Sequence, residues 1–106
     1  MTTNREQLRY AVQEFLNDVI EQGFHHLINH PQSDTELNNI IAEATDELNE
    51  HLRRIDDHDI KGDKVELENH YKSISRSAQV RSLELLSRLQ KIQQRDIPRL
   101  KRVYKN

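Results

Sequence analysis

The chain has 106 residues, 34% of them hydrophobic and 32% charged, with two Gly, two Pro, no Cys and no Trp. That length holds one small domain or one protomer of an oligomer, and its 29 Val, Ile, Leu, Met and Phe side chains are too many for a wholly disordered chain and few for a self-sufficient globule. The lack of cysteine excludes a disulfide scaffold and a thiolate zinc site, no apolar run approaches the ~20 residues of a membrane span, and Met1 to Arg9 shows no charged-then-apolar leader, so a cytoplasmic protein is expected.

Apolar residues recur at helical spacing nearly throughout, and no alternating stretch is long enough for a strand. A first helix is predicted over about 4–29, with Leu8, Val12, Phe15, Leu16, Val19, Ile20, Phe24, Leu27 and Ile28 as its apolar stripe. Gly23 interrupts this helix at a cost of ~1 kcal/mol relative to Ala, tolerable where a neighbouring helix packs closely, and Pro31 stops it. A second helix is predicted over 34–55, with Ser33 and Glu36 as a capping box and Leu37, Ile40, Ile41, Ala44, Leu48, Leu52 and Ile55 on its buried face.

A polar loop, Asp56 to Asp63, leads to a third helix over about 64–95, whose stripe is Leu67, Tyr71, Ile74, Ala78, Leu85, Leu89 and Ile92. Asp63 and Glu66 can cap it. Leu83 and Leu86 widen that stripe enough to touch two helices or a second subunit. Pro98 leaves Ile97, Leu100, Val103 and Tyr104 for a short fourth helix over 98–104. The fold expected is all-α, a single domain built as an antiparallel three-helix bundle with that short C-terminal helix. Its core is expected to be completed by dimerisation, with Leu83, Leu86, Leu100 and Tyr104 at the interface.

The net charge of -2 conceals a segregation. Residues 1–71 hold 6 basic and 16 acidic side chains, a net of -10, whereas residues 72–106 hold 10 basic side chains against Glu84 and Asp96, a net of +8. All six histidines, at 25, 26, 30, 51, 58 and 70, lie in the acidic part, and protonating them moves the whole chain from -2 to +4.

Three constellations could carry function. Counted from Asp57, the loop matches an EF-hand at Asp57, Asp59, Gly62 and Glu68 but places Lys61 in the coordination shell, so it reads as an acidic turn. His26 and His30 are four apart, as are Glu21 with His25, Glu47 with His51, and Glu66 with His70, a spacing that aligns side chains on one helix face. These pairs keep a His/Glu metal-binding bundle as an alternative, but the Glu-x-x-His of such bundles is absent and no metal site or cofactor is expected. The plainer reading puts His25, His26 and His30 at the negative end of the first helix, with His51 and His70 at the edges of buried faces.

Arg81, Arg88, Arg95 and Arg102 recur every seven residues, with Lys91 beside them and Arg76 further round. This ridge can track a phosphate backbone, an acidic protein helix, or the acidic half of the same assembly. Aromatic residues for base stacking are nearly absent from it. With no catalytic constellation of informative spacing, the expectation is a non-enzymatic helical adaptor, regulator or inhibitor that binds a protein partner and forms a homo-oligomer. Nucleic-acid binding through the ridge is the rival, and no membrane partner is expected.

Overall fold

In a computed structural model of the chain, the described residues are 5–56 and 64–97. Their regular structure is all-α: α1 (Arg5–Asn29), a single 3₁₀ turn (Pro31–Ser33), α2 (Asp34–Ile55) and α3 (Lys64–Asp96). The fourth helix expected at 98–104, most of the loop with its Asp63 cap, and Leu100, Arg102 and Tyr104 lie outside the described residues. No described helix is long and apolar enough to cross a membrane.

Pro31 pushes His30 out of helical geometry, to φ -137° and ψ 69°, and so ends α1. The capping box does not form: Ser33 precedes α2 but its hydroxyl makes no capping bond, because it is engaged with α3 instead. Asp34 and Glu36 in the first turn of α2, and Arg53 and Arg54 in its last, complement the helix dipole without that cap.

Two sets of contacts fix the topology. Arg5 and Arg9 both reach Asp56, so the start of α1 lies beside the end of α2. His26 meets Asp96, so the ends of α1 and α3 lie together. The helices therefore run up, down, up around one core: Leu8, Val12, Leu16 and Val19 from α1, Leu37, Ile40, Ala44 and Ile55 from α2, and Ile74, Ala78, Leu85, Leu89 and Ile92 from α3. Gly23 lets α1 and α2 approach closely, since a Cβ there would lie 2.9 Å from Ile41 Cγ1.

The apolar stripes are narrower than the spacing suggests. Phe24 and Ile28 are exposed, the latter at 79%. Each step of four residues advances 40° beyond a full turn, so the series Val12, Leu16, Ile20, Phe24, Ile28 walks about 160° round α1 and leaves the core face. Leu67 also remains 38% exposed although it lies on the stripe of α3. The His26–Asp96 contact sets α1 residues level with α3 residues numbered 70 higher, so Arg5 is level with Ser75 and the first turns of α3 have no α1 beside them.

Candidate functional site

Three surface features bring chemistry-bearing residues together. The first is an ion-pair ladder between α2 and α3. Arg81 Nε donates to Glu47 at 2.9 Å and its Nη1 to Glu84 at 2.6 Å, Arg88 lies 2.7 Å from Glu43, and Arg95 Nη1 donates to Glu36 at 2.8 Å. The antiparallel α2 thus presents a carboxylate to each described arginine of the heptad-spaced ridge. The hydrogen bond from Arg88 holds the Glu43 carboxyl below its usual range, against the opposing effect of burial. Lys91 lines a shallow groove with Glu36, Asn39, Arg88 and Arg95. Arg76 lies apart from the ladder, exposed beside Lys72.

The second is a polar cluster closing one end of the bundle. Asp96 Oδ2 accepts the Ser33 hydroxyl at 2.6 Å and His26 Nε2 at 2.9 Å, and Oδ1 accepts Arg95 Nε at 3.3 Å. Arg95 Nη2 also donates to Ser33 Oγ at 3.0 Å. The side chains of His26 and Asp96 are 5% and 6% exposed. Burial pushes the Asp96 carboxyl up, but the hydrogen bonds from Ser33, His26 and Arg95 outweigh it and hold the carboxyl below its usual range. A carboxylate is poorly placed at the C-terminus of its own helix, and here it turns to Ser33 at the positive end of α2. The His30 ring stacks on His26 with centroids 4.3 Å apart and planes 26° from parallel.

Ser, His and Asp meet here, but in the order Ser33–Asp96–His26. In a nucleophilic relay the imidazole stands between hydroxyl and carboxylate and takes the hydroxyl proton. In this cluster the hydroxyl donates to the carboxylate, so the serine is held rather than activated.

The third feature is the outer face formed by α1 and α3, where a groove of about 600 Å³ runs between Tyr10, Phe15, Leu83 and Leu86. Leu83 is 58% exposed, whereas Leu86, expected beside it at an interface, is half-buried against the core. On the α1 side the groove carries Glu14, Asp18 and Glu21, and none of the three has a cationic partner among the described residues. Along the same side of α3 stand Lys72 and Arg76, likewise without an ion-pair partner among the described residues.

Of the Glu/His pairs, Glu47 and His51 meet at 3.1 Å, but His51 is 2% exposed rather than at the edge of a face. His70 is half-buried, with Nε2 3.4 Å from the Arg54 carbonyl, and Glu21 and His25 are both exposed. Ser33 and Asp96 escaped the sequence reading as site residues. The signal available was Asp96 standing as one of two acids in a basic segment, immediately before the break at Pro98.

No family model matches the chain, and no curated protein or solved structure matches it either.

Proposed function

We propose that the chain is a non-enzymatic helical interaction protein, of the adaptor, regulator or inhibitor kind, that works as an antiparallel homodimer joined through the α1–α3 face. The observation that carries this reading is the layout of that face: an apolar centre at Phe15, Leu83 and Leu86, with anions along α1 and cations along α3 that have no ion-pair partner among the described residues. Lys72, Arg76, Gln79, Leu83 and Leu86 fall within about 80° of one another around α3, so they form one continuous strip.

The register makes the face self-complementary. In a two-fold dimer each residue's contact is repeated with the roles exchanged. With the axis at Leu83, Arg76 of one copy lies seven positions to one side, about 10 Å away, and reaches the level of Gln90 on the other copy. That level corresponds to Ile20 of α1, between Asp18 and Glu21. The cations of each copy then meet the anions of the other, twice per dimer.

Nucleic acid is the weaker partner for this surface. Arg81, Arg88 and Arg95 each hold a glutamate of α2, and phosphate would have to displace those carboxylates.

Sedimentation equilibrium tests the dimer. The wild type is expected at the mass of two chains and Leu83→Glu at the mass of one, with helicity unchanged because Leu83 is exposed. Arg76→Glu should weaken association, and adding Asp18→Arg with Glu21→Arg should restore it by exchanging both edges. A wild type of single-chain mass at every concentration, or a charge exchange that restores nothing, rejects the proposal.

A further inference from the structure

The polar end of the bundle has a donor set that the interaction face lacks. One ring nitrogen each of His26 and His30 and one carboxylate oxygen of Asp96 lie within 4.8 Å of one another. We propose that His26, His30 and Asp96 form a binding site for a zinc ion, joining the last turn of α1 and the residue that follows it to the last turn of α3.

The donor types select the metal. Two imidazoles and one carboxylate are a set that zinc takes while keeping a fourth position for water, whereas calcium and magnesium demand oxygen ligands throughout. Zinc bonds of ~2.0–2.2 Å in tetrahedral geometry put donor atoms roughly 3.3–3.5 Å apart. His26 Nε2 and Asp96 Oδ2 already stand closer than that, at 2.9 Å. Closing the remaining distance falls to His30, whose ring is partly exposed and stacked beside that of His26.

The surroundings hold the carboxylate ready. Ser33 Oγ donates to Asp96 Oδ2 and Arg95 Nε to Oδ1, the kind of outer hydrogen bonds that orient a ligating carboxylate. The Arg95 charge, which opposes a cation, lies against Oδ1 through Nε and against Ser33 Oγ through Nη2, and is itself paired with Glu36 at 2.8 Å. Coordination through His26 needs the Nε2 lone pair, now facing Asp96 as a donor. A zinc-bound His26 then carries its proton on Nδ1.

Calorimetric titration and thermal melting of the tag-free, chelator-stripped chain with zinc chloride test the site, with magnesium chloride as the hard-cation control. One zinc per chain and a melting point raised by about 10 °C or more at a hundredfold excess over Kd are expected, with no response to magnesium. His30→Ala leaves the core intact and should lower zinc affinity at least about a hundredfold, beyond the usual effect of losing an outer-shell group. His25→Ala, the exposed neighbour, should change nothing. A wild type with no saturable zinc binding, or a His25→Ala loss equal to that of His30→Ala, overturns the proposal.

Discussion

His51 is a polar ring at 2% exposure in a small helical core. Its Nε2 lies 3.1 Å from Glu47 Oε2 at an angle that leaves neither ring nitrogen with a well-directed hydrogen bond among the described residues. Burial pushes the imidazole below its ordinary range, and attraction to Glu47 recovers only part of that shift against Arg54. The ring is therefore neutral in the fold but takes a proton in the unfolded chain near pH 6.5. Because the unfolded state then binds more protons, stability falls as pH drops below about 6.5 and continues to fall until the lower folded value is passed. His51→Leu removes the unpaired polar atoms at similar volume, so a gain of about 1–3 kcal/mol is expected at pH 7.5, and a larger one at pH 5. Urea unfolding at both pH values checks this; an equal gain at both would contradict it. Asp96 acts in a separate window. Its lowered carboxyl contributes stability present above pH ~3.9 and lost as pH falls through the folded value, so Asp96→Asn should cost about 2 kcal/mol at neutral pH. The place of His51 was legible, since at 100° per residue it falls between Ile40 and Ala44 on the wheel of α2, but its polarity argued for an edge. Asp96 was not legible as a partner of His26, because a separation of 70 positions leaves no periodic trace of the contact.

Between elements, apolar packing and the arginine ladder contribute on different scales. Leu85 is fully buried in the core, and Leu85→Ala should cost about 2–5 kcal/mol through lost transfer energy and the cavity left behind. Arg88 and Glu43 are 47% and 41% exposed, so Arg88→Ala should cost under ~1 kcal/mol, and less still in high salt. Denaturant unfolding of the two variants in low and high salt measures the contrast; a ladder arginine rivaling a core leucine would refute it. The ladder instead fixes register, since sliding α3 by one turn would set Arg81, Arg88 and Arg95 against different α2 side chains. Helix positions and the inward face were readable because they rest on local spacing. The ladder was readable only as heptad arginines awaiting an acidic partner, since the glutamates at 36, 43 and 47 become that partner through the antiparallel reversal of α2.

Across the described residues, the fold answers the charge segregation on one side of α3 and leaves it open on the other. On the α2 side, arginines of α3 meet glutamates within the chain; on the α1 side, Asp18, Glu21, Lys72 and Arg76 remain without ion-pair partners among the described residues. The long α3 separates these opposite charges along the α1–α3 face, so the two-fold arrangement proposed above can join them only between copies. That arrangement has a salt dependence different from that of an apolar interface. The screening length falls from ~10 Å at 0.1 M salt to ~3 Å at 1 M, which weakens exposed ion pairs while leaving burial of Leu83 intact or strengthened. The dimer constant should therefore weaken several-fold as sodium chloride is raised from about 0.05 to 0.5 M, because the exposed ion pairs between copies are screened over that range. Arg76→Glu should lose that salt response and can reverse it, because its edges then repel and salt relieves the repulsion. Sedimentation at several salt concentrations reads both slopes. Equal slopes for wild type and Arg76→Glu would mean that the charges do not meet, leaving the apolar strip alone to explain any association.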